Sequence, residues 1–401
     1  MSNLARTVPE WLLKRLQNRG GSIPFSTYMD WVLHDPVVGA YGRGHLQIGP
    51  RGDFVTSPSL GADFAALLAP QLVDWLQQLV DATGSSRLLS LVETGPGEGS
   101  LAGQLALELS ARWPQLASRC ELVLVEPNAG MAQRQRRRLR AAPLPVRWCT
   151  FAELAEAPVC GVVLAHEVLD ALAVERICSD GRHWRRQRLV LHEQAGGKPG
   201  LGLEPAESLP DELLSLLAPL DLQAPGPQRP RGWTSELHAG LHPWMSQAAA
   251  GLDQGWLLVI DYALEAWRYY APARADGTLM AYSQQRALAD PLISPGCCDL
   301  TAHLCLEQLE AAARASGWLP LGHCRQGEAL LALGLAQRLH NLQGEAGSAG
   351  LAELLTRREA LLRLVDPHGL GGFRWLAYGR GEQARRSGPP AFLRPPANPS
   401  G

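Results

Sequence analysis

The sequence predicts an α/β fold: a doubly wound, mainly parallel sheet with a helical N-terminal lead-in and an inserted lobe. Three observations carry this reading. Short apolar runs with strand character recur at residues 88–93, 122–126, 159–165 and 256–260. Helix-like segments separate them, the alternation that builds a parallel sheet. Several runs end in an acid, Glu93, Glu126 and Asp261 among them, and ligands of open α/β sheets bind beyond the carboxyl ends of the strands.

The lead-in covers residues 1–85. Trp11, Leu12 and Leu16 predict a short amphipathic helix over residues 6–19. Glu10 and the lack of an apolar run after the N-terminus argue against a secretory signal, while a cleaved transit peptide stays open. Residues 41–60 form an unusual loop. Its Gly52, Asp53, Phe54, Val55, Thr56, Ser57 and Pro58 combine a glycine turn, an aromatic ring and hydroxyls. Such a loop suits a lid, with Phe54, Thr56 and Ser57 closing over a site.

Residues 86–190 make the first half of the core. The strand at 88–93 gives way to Thr94, Gly95, Pro96, Gly97, Glu98 and Gly99, then to a helix over 101–109. Glycines at every second position permit a tight bend and close approach of a ligand. The helix start presents unpaired amides to an anion. The third glycine comes one residue too early for a dinucleotide loop, and no lysine is present for a phosphate loop. The next strand, 122–126, ends in Glu126 and is stopped by Pro127. Glu126 lies 27 positions past Gly99, where an acid takes ribose hydroxyls in doubly wound folds. The basic run at 134–140 reads as the solvated face of a helix.

The strand at 159–165 breaks abruptly into His166, Glu167 and Asp170. On a helix Glu167 and Asp170 would share a face; an N-terminal helix acid is the plainer reading of Asp170. Residues 182–188 predict a strand hairpin around Trp184. Residues 191–253 are rich in proline and glycine and form the inserted lobe, with Leu-rich helical pieces at 209–220. The second half of the core, residues 254–386, holds the strand ending in Asp261 and Tyr262. It also holds predicted helices at 300–316 and 328–340, the first capped by Asp299 or Thr301 and carrying His303. The Pro-rich tail, 387–401, is expected to be disordered.

Composition excludes several classes. A net charge of −2 gives no general grip on nucleic acid. No apolar run reaches the roughly 20 residues that span a bilayer. Eight cysteines without a C-x-x-C pair suit a reducing compartment and exclude a Cys/His metal site. The expected location is cytoplasmic, with the mitochondrial matrix second.

Two resemblances follow from these residues. The order Glu93, Gly95, Gly97, Gly99 resembles the first motif of class I S-adenosyl-L-methionine (SAM) methyltransferases. SAM lacks a phosphate; its carboxylate is the anion for the loop and its ammonium suits a nearby acid. The strings Gly52-Asp53-Phe54-Val55-Thr56-Ser57-Pro58, His166-Glu167-Val168-Leu169-Asp170-Ala171-Leu172, Val259-Ile260-Asp261-Tyr262 and Asp299-Leu300-Thr301-Ala302-His303 are more specific. Together they resemble the mitochondrial complex I assembly-factor methyltransferases and their bacterial relatives. The resemblance implies a class I, Rossmann-like core, SAM as cofactor and methylation of an arginine on a protein subunit of a complex I-type assembly. Glu93, Gly95, Gly97, Gly99 and Glu126 are then the cofactor residues. Glu167, Asp261 and Asp170 are the candidate catalytic carboxylates, and Phe54, Thr56, Ser57, Tyr262 and His303 the substrate or lid residues. Four positions depart from the resembled pattern: Ser59 and Ala66 replace acids, His166 an asparagine and Ala263 a glycine. Two alternatives stay open, a methyltransferase with another protein or small-molecule acceptor and a non-catalytic assembly chaperone.

Overall fold

The computed structural model describes residues 7–44, 46, 48–49, 52, 55–83, 87–194, 196–344 and 350–395. Its centre is a seven-stranded sheet of β1 (Leu89–Thr94), β2 (Cys120–Val125), β3 (Val146–Cys149), β4 (Val159–His166), β5 (Leu252–Asp261), β6 (Leu319–Arg325) and β7 (Arg374–Arg380). The order across the sheet is β3-β2-β1-β4-β5-β7-β6. Strands β3 to β5 pair in parallel, and β7 runs antiparallel to both neighbours. Chain order reverses between β1 and β4, the switch point at which such sheets bind ligands.

Alternation along the strands builds a core on each face. In β5, Trp256, Leu258 and Ile260 face one layer while Leu257 and Val259 face the other. The helices that matter most are α1 (Asp63–Thr83), α2 (Ser100–Arg112), α3 (Ala129–Arg138), α4 (Leu241–Ala250) and α5 (Leu306–Ala315). The first face is covered by α1 and α2, with Trp75 lying flat on Trp256 at 5.5 Å. The second is covered by α4 and α5.

The lobe is a separate antiparallel sheet of Glu175–Ser179, Trp184–Glu193, Pro199–Ser208 and Thr234–Leu237, joined by Ser22–Pro24 from the lead-in. Its first strand therefore precedes residue 190, and α4, inside the expected insertion, packs on the core. Residues 182–188 do form part of a hairpin, pairing with Glu175–Ser179. Trp184 and Trp233 fill the lobe's own core, 5.6 Å apart.

Three expectations are corrected. The helix predicted over 300–316 starts only at Leu306; before it lie the strands Asp299–Thr301 and Leu304–Cys305, so Asp299 and Thr301 cap nothing. The helix predicted over 328–340 is two, Gln326–Ala332 and Leu335–Gly344, parted at Gly334 with φ 98°. The tail is packed through residue 393: Ala391–Leu393 is a 3-10 turn, and Phe392 is buried 5.5 Å from the Trp375 ring. An aromatic ring behind two prolines found apolar partners that composition alone does not reveal.

Three strands meet unusually closely across the middle of the sheet. A Cβ on Gly161 would lie 1.9 Å from the Ser90 carbonyl oxygen, and one on Gly255 would lie 1.8 Å from that of Gly161. Backbone cannot yield as a flexible side chain does. Gly161→Ala should therefore lower unfolding free energy by about 3 kcal/mol or more in urea titrations. A loss under about 1 kcal/mol would contradict this packing.

Candidate functional site

The carboxyl ends of β1, β2 and β4 open into one cavity of about 740 Å³, within the size range of small-molecule sites. Glu93, Thr94, Gly95 and Gly97 form its floor, Glu126 one side and His166 and Glu167 another.

The floor follows from the bend after β1. Gly95 and Gly97 have φ of 56° and 52°, left-handed values that a side chain resists. At Gly97 a Cβ would also come within 2.7 Å of Ile48 Cδ1. The Gly95 amide donates to the Val125 carbonyl at 3.1 Å, which ties the bend to the end of β2. Gly99 caps α2 and does not line the cavity; a Cβ there would pack on Leu139 and Gln135. Glu93 is 6% exposed, and its Oε2 has no hydrogen-bond partner. Burial pushes its carboxyl up to about 8, although the Ala102 amide in the first turn of α2 pulls the other way.

Glu126 is held on both oxygens. Oε1 accepts from the Asn128 amide at 2.8 Å and Oε2 from Gln135 Nε2 at 2.9 Å. The same Nε2 donates to the Gly97 carbonyl at 2.8 Å, and Gln135 Oε1 accepts from Trp148 Nε1 at 3.0 Å. Gln135 is wholly buried. It therefore fixes the distance between the glycine bend and Glu126. Sequence reading missed it because α3 was read as a solvated arginine face. The signal was present in the spacing: Met131, Gln135 and Leu139 are four residues apart and share the buried face.

At the third wall Glu167 adopts φ 54°, a strained value for a residue with a side chain. Its amide donates to the Ile260 carbonyl at 2.9 Å. Burial raises its carboxyl well above the usual range, helped by the nearby Asp261 and Asp299 charges and opposed by the Ser57 amide. Glu167 Oε1 has no hydrogen-bond partner. Neither has His166 Nε2, 3.4 Å away.

Two of the three expected catalytic carboxylates lie elsewhere. Asp261 is fully buried and does not line the cavity. Its Oδ2 accepts from the amides of Val168, Leu169 and Asp170 at 3.3, 2.9 and 3.2 Å, and its Oδ1 from Tyr262 at 2.8 Å. A carboxylate with both oxygens on backbone amides positions the loop after β4 and leaves nothing for a substrate. Asp170 is also off the cavity wall. No helix follows β4, so Asp170 and Glu167 share no helix face. Asp170's carbonyl accepts from the Ala302 amide instead. Tyr262 packs on Phe373 and His303, at 4.0 and 5.3 Å, and neither Tyr262 nor His303 lines the cavity. The His303 backbone is held by Thr278 Oγ1 and His238 Nε2.

Of the lid residues, Thr56 lines the cavity. Ser57 is buried behind it, accepting from Gln326 Nε2 at 3.2 Å. Phe54 lies outside the described residues. Ser59 closes the turn, its hydroxyl donating to the Thr56 carbonyl at 2.7 Å, and Ala66 is buried in α1. The lead-in contributes more wall than its motif suggested: His34, Pro36, Tyr41 and Ile48 all face the cavity. Asn128 Nδ2 donates to the Gly42 carbonyl, and Arg134 bonds both the Gly44 carbonyl and Glu98. Thr150, Phe151 and Trp244 complete the far end. They follow β3 or sit on α4, elements without a motif of their own. Among the described residues the wall includes Glu93, Glu98, Glu126 and Glu167 but no lysine or arginine.

Comparison with known proteins agrees with this geometry. A COG1565 superfamily member from Burkholderia thailandensis, solved with bound S-adenosyl-homocysteine, superimposes with a TM-score of 0.79 at 29% identity, covering 96% of this chain and 94% of that one. The rat protein named protein arginine methyltransferase NDUFAF7, mitochondrial, is 27% identical over 382 residues, 88% of this chain and 79% of its own. Its human counterpart is 25% identical over 88% of this chain and 78% of its own. These relatives carry mitochondrial names, which overturns the cytoplasmic location expected from the sequence. Residues 67–324 match a family of S-adenosyl-L-methionine-dependent methyltransferases; the chain belongs to that family and is a SAM-dependent methyltransferase of the class I fold.

Proposed function

We propose that the enzyme methylates an arginine side chain of a protein, and that Glu167 holds the guanidinium. The observation that carries this is the acidic lining of the cavity: Glu98 is paired with Arg134, but Glu167 is buried at the third wall with Oε1 unpartnered, and among the described residues no lysine or arginine lines the wall. A cationic acceptor is the group that such a wall lacks. The relatives named as protein arginine methyltransferases support the same choice. A subunit of a complex I-type assembly, implied by the resemblance, is the proposed partner.

The residues present fit the cofactor. The unpaired Glu93 oxygen suits an ammonium, the residue 95–99 bend and the start of α2 suit a carboxylate, and Glu126 suits a ribose diol. Thr150 and Phe151 would flank the adenine. SAM supplies a methyl group activated by a sulfonium. The chain's own work is alignment: Glu167 sets the direction of the guanidinium, and Asp261 sets Glu167 through the loop amides. Thr56, Tyr41 and His34 wall the site from water.

Three outcomes are expected. Purified enzyme given methyl-labelled SAM and a cell extract should label arginine in a protein, found by mass spectrometry. Glu167→Gln should cut that labelling at least about 100-fold while S-adenosylhomocysteine still binds. Label on another residue or only on small molecules would remove the arginine reading. Glu126→Ala should weaken S-adenosylhomocysteine binding roughly 10- to 100-fold by calorimetry, the loss of charged hydrogen bonds.

Glu93 makes stability depend on pH. Its carboxyl titrates at about 8 in the fold, against 4.5 ordinarily. The folded chain thus holds an extra proton between those values, and stability falls as pH rises from about 4.5 to about 8. Glu93→Gln should remove a fall on the order of 5 kcal/mol from the cofactor-free protein. Thermal melts across this range test it; equal pH slopes in both proteins would refute it.

A further inference from the structure

His166 closes β4 and stands where the resembled pattern carries asparagine. Its ring touches the cavity wall and packs 5.3 Å from Phe64. Its side chain is 6% exposed and that of Glu167 9%. His166 Nε2 and Glu167 Oε1 lie 3.4 Å apart, and neither has a hydrogen-bond partner, each other included. Two unpaired polar atoms facing each other in a dry place are costly unless a proton lies between them. Burial drives the imidazole down to about 3 and the carboxyl well up, so the neutral pair carries that proton on the carboxyl side. The charged and titratable groups around Glu167 are Asp261, Asp170 and Asp299, with Tyr41 and Tyr262 on the adjoining elements. On the His166 side the neighbour is the apolar Phe64 ring.

We propose that His166 is a positioning residue acting through Glu167: the methyl-accepting nitrogen sheds its proton onto the Glu167 carboxylate, and His166 Nε2 shares that proton. The proposal rests on the arginine reading above. Arrival of a guanidinium expels the resting proton and leaves a carboxylate beside neutral His166. The new N–C bond then forms as the S–C bond of the sulfonium breaks, and the electron pair of the broken bond stays on sulfur. The nitrogen gives one proton to Glu167. Net charge is +1 before and after: a carboxylate, a guanidinium and a sulfonium become a carboxylic acid, a methylguanidinium and a thioether. The returned proton neutralises the group that held the cation, so the product loses its grip in the step that makes it. An asparagine at this position cannot take up a proton.

The direct test is nitrogen-15 NMR of the histidine rings in the full chain with S-adenosylhomocysteine, from pH 5 to 9, with His166→Asn identifying the signal. The His166 Nε2 resonance should move when Glu167 is changed to Gln; an unmoved resonance overturns the proposal. His166→Asn should also lower methyl transfer into the labelled protein fraction at least about 10-fold. It should tilt the pH profile upward and leave the KM for SAM unchanged. Wild-type rate and pH profile in that variant would likewise overturn it. If His166→Asn does not fold, the comparison of wild type with Glu167→Gln still decides. Ethylguanidinium titrated into the S-adenosylhomocysteine complex in two buffers should release about one proton in wild type and none in Glu167→Gln. Absence of binding, with Nε2 still responding to Glu167→Gln, removes the arginine reading and leaves the shared proton standing.

Discussion

Four backbone amides converge on the carboxylate of Asp261, and the reacting end of the cavity depends on that convergence. A chain leaving the end of a buried parallel strand carries amides with no ladder partner. They must be satisfied where water does not reach. Hydrogen bonds to a charged acceptor contribute roughly 1.5–3 kcal/mol each, and orphaned amides would cost a similar amount. Those bonds oppose the desolvation of Asp261, whose carboxyl still sits at about 7. With the loop clamped from below, Glu167 is held at a positive φ that its side chain would otherwise resist.

Much of this was legible in the sequence, and the limit of legibility has a physical form. Alternation and length located β1, β2, β4 and β5, and an acid at a strand's end is a strong sign of a ligand crevice. What one dimension does not encode is the direction of the acid. Glu93, Glu126 and Glu167 face the cavity, whereas Asp261 faces the amides of the neighbouring loop. All four look alike as an acid after an apolar run. Short strands without a flanking motif, such as Val146–Cys149 and Leu319–Arg325, were equally silent. The first is half-buried and the second lies at the sheet edge, so neither has the apolar signature of the central strands.

Charge placement separates the two jobs of the arginine-rich segment. Arg136 stacks over Trp148 on the outside, while Arg134 reaches Glu98 and two lead-in carbonyls. No arginine of α3 lines the cavity. The neutral amide of Gln135 faces inward instead, where a guanidinium would compete for Glu126. A cavity meant for cationic ligands must keep its own cations out. The sequence does this by setting one glutamine beside Met131 and Ala132 on the buried face of a helix whose last five residues hold four arginines.

The lead-in is the part least like an ordinary α/β core, and it joins the lobe to the wall of the site. Ser22–Pro24 adds a strand to the lobe sheet. Beyond the helix Phe25–His34, Tyr41 donates to Asp299 at 3.0 Å, and Asn128 holds the Gly42 carbonyl. One stretch of chain thus bonds the lobe, the strand Asp299–Thr301 and the loop after β2. Each bond alone is modest, worth about 1 kcal/mol. Their value lies in position, because His34, Pro36 and Tyr41 on this stretch are part of the cavity wall. This side of the cavity wall is therefore held by contacts of the lead-in with lobe and core. The glycine bend and Glu126 are braced separately, within the core, by Gln135.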